Sequence, residues 1–167
     1  VAFIDPRPLE RADPVARFDC GAEALNRFLI NHAFQSQQSQ GARTYVSIST
    51  DGKVAGYYSL AYGAVKYEMA PERTRKGLPR HDVPVMVLAR LAVASEFQGQ
   101  GLGKQLLRDA LLRTLQAADI AGLRAVVVHA KDEKAKAFYE RFRFESFPDE
   151  SLKLALLLKD LRAVITE

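Results

Sequence analysis

The chain has 167 residues, 48% of them hydrophobic and 26% charged. That length fits one domain of about 100–200 residues, and the composition excludes a collagen, a disordered tail and a disulfide scaffold. Lys and Arg number 24 against 20 Asp and Glu, a formal charge of +4 that permits an anionic partner without requiring one. The one cysteine, Cys20, cannot close an internal bridge, which points to a reducing, cytoplasmic setting. The longest apolar stretches, near 83–94 and 152–158, are interrupted by Arg90 and Lys153. Both fall short of the ~20 residues of a membrane span, so no membrane partner is expected. Asp5, Glu10 and Asp13 stand among the first residues, unlike the apolar core of a signal peptide.

Residues 1–18, rich in proline and charge, read as a lead-in segment. Over 21–38 the apolar residues Ala24, Leu25, Phe28, Leu29 and Ala33 recur at i, i+3, i+4 spacing. This predicts one amphipathic helix, with Asp19 placed to cap it and the Gln/Ser run 35–40 to end it. A strand is expected over 43–49. Asp51-Gly52 then predicts a tight hairpin turn with positive φ at both central positions. The second strand, over 53–67, contains Gly56 and Gly63, which invite a bend or bulge. Pro71, Gly77 and Pro79 mark 68–82 as a loop. The nearly continuous apolar run 83–94 predicts a strand covered on both faces.

A glycine-rich turn over 96–103 leads into the strongest helix, 102–118. Its stripe is Leu102, Leu106, Leu107, Ala110, Leu111, Leu115 and Ala118. A buried strand is expected over 123–130. Asp132 is placed to cap a helix reaching about Phe142, with Ala135, Phe138, Tyr139 and Phe142 on one side. Strands over 144–147 and 152–158 and a tail over 160–167 complete the chain. The order predicts an α/β fold: a single domain spanning 1–167, with a mixed central sheet covered by helices on both faces.

Gln98-Gly99-Gln100-Gly101-Leu102-Gly103-Lys104 joins a buried strand to the strongest helix. Glycines leave backbone amides unshielded, and the first four N–H groups of a helix have no internal partner. The helix dipole adds about 0.3–1 kcal/mol for an anion there. A phosphate-bearing ligand is therefore expected. A Walker loop is excluded, because Gln98 and Gln105 stand where it needs Gly and Ser or Thr. A dinucleotide fingerprint starting at Gly99 would need glycine at Lys104.

Gln98-x-x-Gly101-x-Gly103 resembles the Arg/Gln-x-x-Gly-x-Gly/Ala signature of the GNAT N-acetyltransferases. The likeness extends to Leu88-Ala89-Arg90-Leu91-Ala92-Val93 before it and to Asp132-x-x-Ala135-x-x-Phe138-Tyr139-Glu140-Arg141-Phe142 after it. The resemblance implies acetyl-CoA as cosubstrate, and no metal is expected. Its pyrophosphate would lie on Gln98, Gly99, Gln100, Gly101, Leu102, Gly103 and Lys104, and its pantetheine arm along Leu91, Ala92 and Val93. Asp132, Ala135 and Phe138 would line it from the later helix, and Tyr139 would sit near the thioester as the catalytic residue. A narrower resemblance is carried by Phe18-Asp19-Cys20-Gly21, Leu25-Asn26-Arg27-Phe28-Leu29, Gly56-Tyr57-Tyr58-Ser59-Leu60 and Val128-His129-Ala130. These look like the TacT-type toxins of bacterial toxin–antitoxin pairs. That likeness implies acetylation of the α-amino group of aminoacyl-tRNA, with a block of translation, and a ribbon-helix-helix antitoxin as partner. A homodimer is the default assembly. Two departures stand out. Arg143 occupies a turn where relatives have glycine, so it needs another geometry or strain. Asp132 stands where the broader superfamily often has Asn.

An α-amino group, with a reference pKa of about 7.7–8.0, is partly neutral at physiological pH and needs no strong general base. No Asp or Glu stands out as one. A tyrosine phenol stays protonated at working pH and suits Tyr139 to protonate the leaving thiolate. Arg73, Arg75, Lys76 and Arg80 fall within eight residues and form a candidate tRNA contact, to which Arg90 is added. Arg90 lies in an apolar run and needs a partner if buried. His32, His81 and His129 lack metal-ligand spacing. The alternatives are a GNAT enzyme for another amine, such as a protein N-terminus or small molecule, and a catalytically silent RNA-binding module on the same fold.

Overall fold

The computed structural model describes residues 2–166; Val1 and Glu167, the outer ends of the expected lead-in and tail, lie outside them. Seven strands pair in the order β1-β2-β3-β4-β5-β7-β6. They are β1 (Arg7–Pro8), β2 (Arg43–Ile48), β3 (Val54–Val65), β4 (Val83–Val93), β5 (Ala125–His129), β6 (Glu145–Phe147) and β7 (Glu150–Leu157). The sheet is mixed: β4 and β5 run parallel, while β1–β2, β2–β3, β5–β7 and β6–β7 are antiparallel. The helices of the described residues are α1 (Glu23–Asn31), α2 (Ala33–Gln38), α3 (Glu72–Arg75), α4 (Leu102–Ala118), α5 (Glu133–Glu140) and α6 (Leu158–Ile165), with two short 3-10 turns. The expected α/β class holds. None of these helices is long and apolar enough to cross a membrane.

Contacts divide the chain into two compact units. One holds the residues up to Ala61 with Ala89–Ala110; the other holds Tyr62–Leu88 with the residues from Leu111 onward. In the first, Tyr57 is fully buried, with Phe18 edge-on at 5.5 Å and Phe28 stacked at 6.3 Å. Its hydroxyl donates to the Leu25 carbonyl at 2.7 Å. The second has an aliphatic core of Val65, Val83, Val85, Ala125, Val127 and Ala155, closed by Phe147.

Several local expectations change. The single helix over 21–38 is two helices broken at His32, whose φ of −129° is not helical. Asp19 does not cap it. The N-cap position is Ala22, without a side-chain cap, and Asp19 instead accepts from the Gly21 amide at 2.9 Å. The hairpin turn has only Gly52 at positive φ, 86°. The Gly52 amide donates to the Ser49 carbonyl at 2.9 Å, so the turn starts one residue earlier than a two-residue Asp51-Gly52 loop would.

The expected irregularity in the second strand lies at Ala55, the extra residue where the register jumps from Ser47↔Gly56 to Ile48↔Val54. The loop 68–82 contains α3. The strand expected to be covered on both faces is well buried only in its first half; Ala89, Arg90, Leu91 and Val93 are half-buried. Within the described residues, both the lead-in and the tail are structured. The lead-in supplies β1, held by a two-pronged Arg7–Asp13 pair at 2.8 and 3.0 Å. The tail is α6, with Leu161 and Val164 buried.

Candidate active site

In the first unit, the end of β4 is set by backbone contact rather than by side chains. The extra residue Ala55 offers its carbonyl to the Ala94 amide at 2.8 Å. A Cβ at Gly56 would lie 2.9 Å from both the Ala92 carbonyl oxygen and Leu106 Cδ1, so only glycine lets β3 approach this closely. Ala92 is buried, and Leu91 and Val93 are half-buried. The partner required by Arg90 is an aromatic face: its guanidinium carbon lies 3.7 Å from the Phe28 ring centroid.

The chain then turns through Ser95–Phe97 into the glycine loop. Gly99 and Gly101 adopt φ of 80° and 83°, and nothing lies within 4 Å of where their Cβ atoms would be. The amides of Gly99, Gly101, Leu102, Gly103, Gln100 and Lys104 donate to no acceptor among the described residues; Gln105, donating to the Gly101 carbonyl at 3.2 Å, is the first that does. These N–H groups precede a 17-residue helix anchored by buried Leu102, Leu106, Leu107, Ala110 and Leu111. Free donors and the positive end of a helix dipole together make an anion cradle. Gln98 behaves differently from its loop neighbours, because its side-chain amide donates inward, to Val93 O at 2.9 Å and Cys20 O at 3.2 Å.

The second unit carries the tyrosine helix. Asp132 caps α5 as expected, its carboxylate accepting from the Ala135 amide at 2.8 Å. Tyr139 is 7% exposed, between the edges of Phe138 at 5.2 Å and Phe144 at 5.4 Å. Burial pushes its phenol well above the ordinary range, so it stays protonated. Its oxygen has no hydrogen-bond partner among the described residues, yet it is not sealed from solvent. A buried ring with an available, protonated tip is the arrangement a proton donor needs. Arg143 takes the strained option, a left-handed φ of 71°.

The basic loop belongs to the same unit, and its members are not equivalent. Arg73 is committed to Asp160 of α6, with hydrogen bonds of 2.9 and 3.4 Å, which raise its pKa. Arg75 and Arg80 instead sit 5.5 and 5.7 Å from the Tyr67 ring, and Lys76 is exposed. Arg124 fixes the loop, donating to the carbonyls of Thr74 at 2.7 Å and Lys76 at 2.9 Å. Sequence reading missed this anchor: an arginine opening an apolar strand, 48 residues away, carries no local signal. His129 ends β5 exposed, 3.3 Å from Glu150. No group of three or more His, Cys, Asp or Glu among the described residues is placed to hold a metal.

Residues 10–144 match the Acetyltransferase (GNAT) family, and the chain belongs to that family of acetyltransferases. It is 46% identical to the tRNA-acetylating toxin of Mycobacterium tuberculosis strain H37Rv over 163 residues, which cover 98% of this chain and 97% of that one. Among solved structures it is similar to AtaT complexed with acetyl-methionyl-tRNAfMet, with TM-score 0.88 and 28% identity over 98% of this chain and 99% of that one. It is also similar to a Tyr-to-Phe mutant of the AtaT toxin bound to the C-terminus of the antitoxin AtaR and acetyl-CoA, with TM-score 0.82 and 26% identity over 99% of both chains.

Proposed function

We propose that this chain is an acetyl-CoA-dependent toxin that acetylates the α-amino group of aminoacyl-tRNA and thereby blocks translation. One structural observation carries the acyl-donor half of the reading: the run of unpartnered amides from Gly99 to Lys104 ahead of α4, where a pyrophosphate fits. The nucleic-acid half is supported by the 46% identity to a tRNA-acetylating toxin and by the likeness to AtaT in complex with an acetylated tRNA.

In this reading the loop amides bind the pyrophosphate, and the half-buried strand end Leu91–Val93 offers backbone groups to the pantetheine arm and thioester carbonyl. Asp132, Ala135 and Phe138 line the cosubstrate from α5. The neutral amine attacks the thioester carbonyl, the new C–N bond forms, and the C–S bond breaks. Tyr139 gives its proton to the departing thiolate and regains one from solvent, while the ammonium proton leaves to water. Arg75, Lys76 and Arg80 supply the phosphate contacts, and Arg73 steadies the loop through Asp160. Arg90, held on Phe28, serves the strand end rather than the RNA. The protein works in the cytoplasm as a homodimer, and a ribbon-helix-helix antitoxin restrains it, in keeping with the antitoxin-bound AtaT structure.

Incubation with labelled acetyl-CoA and a charged tRNA pool tests the proposal. Label on the amino acid of one or more aminoacyl-tRNAs is expected. Label confined to peptide N-termini or small amines, or no transfer at all, overturns it.

A further inference from the structure

The motif Phe18-Asp19-Cys20-Gly21, followed by Asn26, has no place in the chemistry above, yet its side chains are fully engaged. Asn26 is a buried polar residue on α1. Its carbonyl oxygen accepts from the Cys20 amide at 2.8 Å, and its amide donates to the Asp19 carboxylate at 3.0 Å. The same carboxylate oxygen accepts from the Gly21 amide, and Gly21 takes a left-handed φ of 87°. The peptide units of this turn are thereby fixed from within. Both of its outward carbonyls then go to one target. Asp19 O accepts from the Ser95 amide at 2.8 Å, and Cys20 O accepts from Gln98 Nε2 at 3.2 Å. The second acceptor of Gln98 Nε2 is Val93 O.

We infer that Asn26 and Gln98 are positioning residues for the phosphate cradle, acting as one brace that holds residues 93–98 in register with the free amides beginning at Gly99. The inference rests on the acetyl-CoA reading of that cradle. Neither side chain is assigned contact with the cosubstrate: Asn26 acts through Asp19 and Cys20, and Gln98 acts through two backbone carbonyls. Gln and Arg side chains can each donate to two carbonyls at once, whereas no carboxylate or aliphatic side chain can.

The test is acetyl-CoA affinity by calorimetry, with KM and kcat alongside, for wild type, Asn26→Asp, Gln98→Leu, Gln98→Arg and the Asn26→Asp/Gln98→Leu double variant. Asn26→Asp keeps the size of the side chain but replaces the donor to Asp19 with a second carboxylate oxygen, which breaks that bond and adds like-charge repulsion. Each of Asn26→Asp and Gln98→Leu is expected to weaken acetyl-CoA binding by about three- to tenfold, the effect of one or two lost hydrogen bonds. KM for acetyl-CoA should rise in step while kcat holds. Gln98→Arg should bind as wild type does. The double variant should lose little more than either single one, as expected for two parts of one path. Wild-type affinity in Gln98→Leu, failure of Gln98→Arg to restore binding, or fully additive losses overturn the brace. A wild-type protein that does not bind acetyl-CoA overturns the functional reading itself, and the brace with it.

Discussion

The Phe144 amide donates to the Tyr139 carbonyl at 3.4 Å, across a left-handed Arg143 whose own amide donates to Glu140 O at 3.1 Å. These two bonds form a Schellman-type closure of the helix that carries the tyrosine, with arginine where glycine is favoured. A left-handed residue with a Cβ costs about 1–2 kcal/mol. Arg143→Gly should therefore raise the unfolding free energy by about 1 kcal/mol, less what glycine gives back as unfolded-chain entropy. Denaturant melts check it, and a destabilised Arg143→Gly would show that the arginine side chain contributes more than its backbone strain removes.

Tyr139 leads to a kinetic prediction. Tyr139→Phe keeps the ring and its packing against Phe138 and Phe144 but removes the proton, so acetyl-CoA affinity should hold while kcat falls by about 10²–10⁴. Because burial raises the phenol's pKa, the acid form persists as pH increases. The wild-type rate should climb as the substrate amine loses its proton near pH ~7.7–8.0 and show no falling limb before pH ~10. Turnover at the wild-type level in Tyr139→Phe refutes the assignment.

The basic loop should divide by partner. Neutralising Arg75, Lys76 and Arg80 together should weaken RNA binding and reduce the salt slope by about 0.7–0.9 per lost phosphate contact, with acetyl-CoA affinity unchanged. Arg73→Gln should leave the slope near that of wild type and instead lower the melting temperature, because its guanidinium is bound to Asp160. Equal salt-slope losses for Arg73 and Arg75 variants would contradict this division.

Gly56→Ala would place a methyl 2.9 Å from the Ala92 carbonyl oxygen and Leu106 Cδ1. Overpacking of this kind costs about 1–3 kcal/mol. The strand end that is proposed to meet the pantetheine arm would shift as well, so both thermal stability and acetyl-CoA affinity should fall. A stable, tight-binding variant would mean that α4 can yield at no cost.

Asp13 gives a pH dependence. Burial alone would raise its carboxyl pKa, but hydrogen bonds from Arg7 and the Glu10 amide outweigh it, leaving the folded value below the usual range. A carboxyl depressed by folding contributes stability above its unfolded value of ~3.9 and loses it as pH falls through the folded one. Asp13→Asn should lower the melting temperature at pH 7, and the gap from wild type should close below pH ~4. A gap that is constant down to pH 3 removes the Arg7 pair as its origin.

What was legible in the sequence was whatever repeats or punctuates locally. The seven-residue stripe of α4 produced the right bounds, and Asp132 three residues before an amide in need of an acceptor produced the right cap. The glycine loop was legible because three glycines at alternate positions leading into a strong helix have few structural uses. The break at His32 was not, since no glycine or proline marks it and the apolar spacing runs on to Ala33. Two-residue β1 is too short to show a period. The C-terminal helix was hidden because it follows β7 directly and its N-cap position, Leu157, supplies no side-chain cap, unlike Asp132 before the equally short α5. Among site residues, the role of Arg73 was set by Asp160, 87 positions away, and no window along the chain contains both.

Arg124 separates two properties that a charge count merges. Its guanidinium is occupied by the carbonyls of Thr74 and Lys76, so it adds to the +4 while serving to place other cations instead of meeting a phosphate itself. Arg124→Lys would leave the net charge untouched and replace a planar two-pronged grip with a single ammonium. The loop's charge and the loop's shape can therefore change independently, and sequence drift at Arg124 would rearrange the basic side chains of the loop while every one of them stays the same.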